Sequence, residues 1–240
     1  MKTTTWLVGL GLAVAMAGAA AGQPVAAPPA SSETVAPPAS SPEGPRISWV
    51  VRSAPPPFFD RTSSGSVLFG GLVGAVVWSS EGAKAVAADH IEDPGNALAA
   101  KIARLYAPGV GAVPDATPLD GGGLKGRSPK SYAAIGGGAR YVVDVETEGF
   151  GTIWASYVTW PIDLSHYIVE YGARVRIEDL QAGKEVYSGA CGVFTKRRPG
   201  LPTHEEMYAN GGAVLKAMID ETVDQCLATL TAKGLSLAPG

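Results

Sequence analysis

Histidine, cysteine, long apolar runs and blocks of one charge are all scarce in this chain, and each scarcity removes a class of function. The three histidines, His90, His166 and His204, stand far apart. None has the close partner spacing of a zinc site, so no metal is expected. No Gly-x-Ser-x-Gly elbow occurs, and the triple glycines at 121–123 and 136–138 are not followed by the Lys-Ser/Thr pair of a phosphate-cradling loop. They read as flexible turns. No catalytic residue and no cofactor therefore has a candidate, and the chain is expected to act without catalysis. Charged residues make up 17% of the chain, 19 Lys and Arg against 22 Asp and Glu, for a net charge of -3. With no long block of either sign, nucleic acid is not an expected partner. The densest basic cluster, Lys196-Arg197-Arg198, reads as a solvated turn.

The two ends of the chain differ from its middle. Residues 1–22 carry one lysine, an apolar run from Trp6 to about Met16 and then small residues, the pattern of a secretory signal peptide. The run is shorter than the roughly 20 residues of a spanning helix. The first cysteine is Cys191, so lipid attachment at the leader is not expected. Residues 23–45, rich in Pro, Ala and Ser, read as a disordered tether. Residues 46–231 are long enough for one domain with its own core, and 232–240 read as a flexible tail. The expected location is the periplasm or outer-membrane periphery of a bacterium. In that oxidising setting the two cysteines, Cys191 and Cys226, are expected to form a disulfide. Closing a loop of roughly 35 residues is worth about 3 kcal/mol in the chain-entropy account.

Periodicity gives the elements. The stretch RISWVVR at 46–52 reads as a first strand, stopped by the prolines of SAPPPFFD. The stretch EDPGNALAAKIARLY reads as a helix with Asp93 as cap, Pro94 at the first helical position, and Leu98, Ile102 and Leu105 on one apolar stripe. A short helix, a glycine stop and a strand follow, with Tyr141, Val143 and Val145 on one face and Arg140, Asp144 and Glu146 on a half-exposed other face. The clearest signal is an antiparallel hairpin: Tyr167 to Ile177 alternate with charged residues, DLQAGK turns the chain, and a second strand runs from about Glu185 to Phe194. One of its faces is expected to be wet. Thr203 and Glu206 at capping-box spacing open a last helix with Leu215, Ile219, Val223, Cys226 and Leu230 on one face, kinked or split at Gly211 and Gly212. The disulfide would then staple helix to sheet. The expected fold is α/β (α+β), a mixed, largely antiparallel sheet with helices packed on it, in a single domain.

A strand, DP opening a helix, the strand GARYVVDVE, the hairpin ARVRIEDLQAGKEVYSG and a closing amphipathic helix together resemble the α/β/α sandwich of bacterial envelope proteins. That group includes the curli-secretion lipoprotein, the lipoprotein activators of penicillin-binding proteins and the amino-terminal domain of TolB. Within it, the chain looks most like uncharacterised exported proteins with the same aromatic loop and cysteine pair. The resemblance covers roughly 46–231 and implies adaptor, assembly or pore-forming work, with no catalytic residue to carry over. The lipidated cysteine usual in that group is missing here.

Three stretches are candidates for contact. The loop between the half-exposed strand and the hairpin places Phe150, Trp154, Tyr157, Trp160 and Tyr167 close together, a set suited to flat recognition of a peptide, a glycan or a partner's surface, or to completing the core. The uncharged run SVLFGGLVGAVVW at 66–78, inside a Gly-rich apolar insertion at 63–86, would as a helix present Gly70 and Gly74 on a smooth face with Leu68, Phe69 and Trp78 nearby. It is a candidate for self-association, for docking an envelope protein or for peripheral membrane contact, or else it is buried core. Last, Asp144, Glu146, Glu148, Glu170 and Glu178 share the sheet's polar face, as a hydrolase would need, but Arg140, Arg174 and Arg176 on the same faces favour an ion-pair lattice. The function expected is a non-enzymatic exported envelope binding, adaptor or assembly module. The alternatives are a periplasmic small-ligand or glycan binder using 149–167 and a periplasmic hydrolase.

Overall fold

In the computed structural model the described residues are 44–53, 58–60, 82–124, 126–155 and 165–237. They fall within one compact unit, Ser41–Gly240. The signal peptide, most of the tether and the whole of 66–78, with Leu68, Phe69, Gly70, Gly74 and Trp78, lie outside them, as do Tyr157 and Trp160.

Period-two alternation builds the sheet around three long strands, β5 (Tyr141–Trp154), β6 (Tyr167–Asp179) and β7 (Lys184–Phe194), which pair antiparallel in that order. On the far side of β5 lie two shorter strands, both parallel to it: β1 (Arg46–Val51) along its first half and β2 (Phe58–Asp60) along its second. Between β1 and β2 the sequence carries Pro55, Pro56 and Pro57, which bring no amide hydrogen to a ladder. Gly151 lets β2 come close, because a Cβ there would stand 2.1 Å from the Phe59 carbonyl oxygen. Two-residue strands β3 (Val113–Pro114) and β4 (Leu119–Asp120) complete the sheet, parallel to β1. The result is the expected mixed sheet with helices packed on it. Strands β2, β3 and β4 were not legible, since strands of two or three residues are too short to show a period.

The helices cover the faces unequally. Residues 82–89 form helix α1, α2 spans Pro94–Tyr106, α3 spans Pro129–Ile135 and α4 spans His204–Ala232. Asp93 caps α2 by accepting from the Gly95 amide, and Thr203 with Glu206 forms the capping box of α4. The larger core lies between the sheet and α2 with α4, where Leu98, Ile102, Leu215, Val223 and Leu230 meet Val143, Val175 and Ile177. A smaller cluster, Val50, Tyr132, Ala139 and Val142, lies on the opposite face beneath α3. Cys191 on β7 and Cys226 on α4 are joined by a disulfide with their Cα atoms 5.4 Å apart, so the expected staple is present.

Four expectations need correcting. Leu105 is exposed, because the apolar stripe of α2 ends at Ile102 and Ala103. The polar face of β5 and β6 is dry at one end: Asp144 and Glu178 are each only 2% accessible, because α3 and its flanking turns fold over them. The insertion at 63–86 gives way to helix α1 from residue 82, with Val86 in the core. The tail expected from 232 is anchored, since Leu235 is buried and its amide donates to the Leu230 carbonyl.

Candidate functional site

The outer face of the sheet changes character halfway along. A bulge between Thr147 and Gly149 inserts Glu148 and resets the alternation of β5. Beyond it, Gly149, Gly172 and Gly192 stand in register across β5, β6 and β7. They form the floor of a groove of 400 Å³ with Phe59 and Phe194 at its sides and Glu148 and Glu170 at its rim. Phe194 is 52% exposed, the most accessible large apolar side chain among the described residues.

The fold does not require these glycines. None of the three has a positive φ. Among the described residues a Cβ at Gly192 would meet nothing within 4 Å, and one at Gly172 would come no closer than 3.8 Å to another atom. Glycine in a strand costs roughly 0.5–1 kcal/mol relative to alanine, and without an internal reason it marks a place that something else approaches closely.

Nearer α3 the same face carries charge, and arginines answer the carboxylates. Arg52 Nη2 lies 2.6 Å from Asp144 Oδ1, and the Tyr132 hydroxyl donates to Asp144 Oδ2 at 2.7 Å. Arg127 binds Glu146, whose carboxyl is thereby held below the ordinary glutamate range. Arg174 lies 2.6 Å from Glu148, whereas Arg140 turns to Asp179 at 3.0 Å. Burial pushes the Tyr132 phenol up, and its hydrogen bond to Asp144 adds to the effect. Glu178 is the exception: burial raises its pKa, the neighbouring Glu185 raises it further, and its Oε2 has no hydrogen-bond partner. Three of the five expected carboxylates thus belong to an ion-pair lattice, and Glu170 belongs to the groove.

The aromatic set separates. Phe150 and Tyr167 are buried. Phe150 packs edge-on against Phe58 with centroids 4.9 Å apart, and Tyr167 packs against the His204 ring at 6.0 Å. The bulge at Glu148 turns Phe150 inward, and of the two roles expected for these residues, contact and core packing, Phe150 and Tyr167 take the second. Trp154 ends β5 in register with Tyr167.

Sequence reasoning missed a second polar cluster. Asp60, 6% accessible, accepts from Thr152 Oγ1 at 2.8 Å and from the Tyr208 hydroxyl at 3.1 Å, and His204 Nε2 lies 3.4 Å away. Burial beside Asp60 pushes the Tyr208 phenol up. Only the fold brings residues 60, 152 and 208 together, so no local spacing could have signalled it. Among the described residues no group of three or more His, Cys, Asp or Glu could hold a metal ion, and no helix is long and apolar enough to cross a membrane.

No described protein family and no curated protein matches the chain. Among solved structures, a hypothetical protein from Chlamydia trachomatis aligns over 80% of this chain and 96% of its own at 14% identity, with a TM-score of 0.33. A neuraminyllactose-binding hemagglutinin homolog from Helicobacter pylori aligns over 81% of this chain and 84% of its own at 10% identity, with a TM-score of 0.32. A lipoprotein from Neisseria meningitidis aligns over 75% of this chain and 99% of its own at 14% identity, with a TM-score of 0.23. Likenesses at these scores bear on neither family nor function.

Proposed function

We propose that this chain is an exported bacterial envelope protein that works without catalysis, as a binding, adaptor or assembly module, and that the glycine-floored groove seats the contact group of its partner. The observation that carries the reading is the open floor at Gly172 and Gly192 beside the exposed ring of Phe194, a space that none of the described residues fills. The signal-peptide pattern of 1–22, the tether and the Cys191–Cys226 bridge support export. The pairing of Asp144, Glu146 and Glu148 with arginines supports a structural lattice over a hydrolase.

The test is a photo-crosslinking amino acid at Phe194, expressed in the native cell. A discrete adduct in the envelope fraction is expected, and it should disappear when Gly192→Trp fills the groove while the disulfide and melting temperature persist. An adduct that survives Gly192→Trp, or no adduct from exported protein, would overturn the reading.

A further inference from the structure

On the side of the sheet away from the glycine-floored groove, a cleft of about 340 Å³ lies between the N-terminal end of α2 and the middle of α4. The loop 90–93 forms one wall. His90, at a left-handed φ of 50°, turns the chain out of α1, and the Ile91 amide donates to the Val86 carbonyl. Buried Ile91, Pro94, Ile219 and Val223 give the cleft an apolar lining, and buried Asp93 stands among them. Both donors to its carboxylate, the Gly95 amide at 2.8 Å and the Thr147 hydroxyl at 2.5 Å, use the same oxygen, Oδ1. Oδ2 accepts from no described residue and is not sealed from solvent, although the residue is only 8% accessible. Burial raises the Asp93 pKa more than these bonds and Arg52 lower it, which marks a carboxylate short of donors.

We propose that this cleft binds a small apolar molecule through a protonated amine, which donates to Asp93 Oδ2. The charges around the cleft select this class. Glu92, Asp93 and Asp220 against Lys216 leave the described lining net negative, which favours a cation over an anion. Two of the first amides of α2 are already taken, since Gly95 donates to the Asp93 side chain and Asn96 to its carbonyl. Lys216 stands across the cleft on α4 and makes no ion pair among the described residues, so the described chain itself brings no cation to Oδ2. A buried acceptor with an open oxygen gains most from a charged donor, which answers its desolvation and its empty lone pairs together. The apolar walls suit an aliphatic or aromatic body, and the volume suits a small one. This site does not depend on the groove, which lies across the sheet.

The test follows the oxidised, exported chain by heteronuclear NMR as phenethylamine is added, with 2-phenylethanol and phenylacetate as neutral and anionic counterparts of the same body. For the amine, saturable shifts are expected in residues 90–97 and 216–223, with binding at least about tenfold tighter than that of either counterpart. Asp93→Asn keeps the helix cap, because its side-chain oxygen still accepts from Gly95 and Thr147, and it turns an NH₂ group toward the cleft. It should leave the melting temperature near the parent's and erase the preference for the amine. Ala97→Trp, at an exposed position of α2 beside the cleft, should block the binding without touching the cap, and it serves if Asp93→Asn fails to fold. No saturable binding of the amine, equal affinity for amine and alcohol, an amine preference that survives Asp93→Asn, or binding indifferent to Ala97→Trp would overturn the proposal.

Discussion

A buried carboxyl with an oxygen left unbonded is poorly settled in a fold, and Glu178 is one. Burial raises its pKa above the ordinary glutamate value, Glu185 and Asp144 push in the same direction, and Arg176 only partly opposes them. A folded-state pKa above the unfolded one means that the native state favours the protonated form. Glu178 then contributes most below the unfolded value of about 4.3, and that contribution is lost as pH rises through its folded pKa. Glu178→Gln, neutral at every pH, should melt higher than the parent near neutrality, with the gap closing as the pH approaches 4. An equal gap at all pH values would show that the carboxyl titrates alike in the folded and unfolded states. The neighbouring Tyr132→Phe should instead destabilise, by about 1.5–3 kcal/mol for a buried hydrogen bond to a charged group, read from denaturant midpoints. Both residues lie where the sequence suggested a face half in water. The alternation of β5 and β6 was legible, but the cover over one end came from α3, whose docking no period announces.

Helix α4 shows both what could be read and what could not. Its cap, its buried stripe and its cysteine followed from spacing alone, and the structure has all three. The glycine pair signalled a break, and the break is sharp: Asn210, Gly211 and Gly212 all take left-handed φ values, of 54, 67 and 68 degrees. Three such residues in a row redirect the first turn so that Met207 enters the core while His204 and Tyr208 reach Asp60. The two glycines differ in surroundings. A Cβ on Gly211 would meet nothing within 4 Å, whereas one on Gly212 would crowd the Asp89 side chain at 3.2 Å. Gly211→Ala should therefore cost about 1–2 kcal/mol for the backbone alone, and Gly212→Ala should cost more. Equal costs would mean that Asp89 moves aside freely. The groove escaped sequence reading for a different reason. Gly149, Gly172 and Gly192 are unremarkable singly and become a floor only once two strand registers and a bulge are known.

On the scale of the molecule, the sheet separates a large apolar core from smaller clusters among the described residues. On one side, α2 and α4 bury the longer apolar stripes, and the disulfide ties α4 to β7. On the other, a helix of seven residues covers a small cluster, and much of what it shields is charged. Hydrophobic stabilisation scales with apolar area removed from water, so the two layers should not open together. Leu98→Ala, which empties a fully buried site in the large core, should cost about 2–5 kcal/mol and lower the global transition. Ile135→Ala, at a partly buried position on α3, should cost less and act locally. Native-state hydrogen exchange separates these cases. Amides of α3 should exchange through low-energy openings that leave β5 and β6 protected, and Ile135→Ala should speed only that exchange. If instead the amides of α3 and of β5 exchange with one common free energy, the outer layer is part of a single cooperative unit and the partition does not hold.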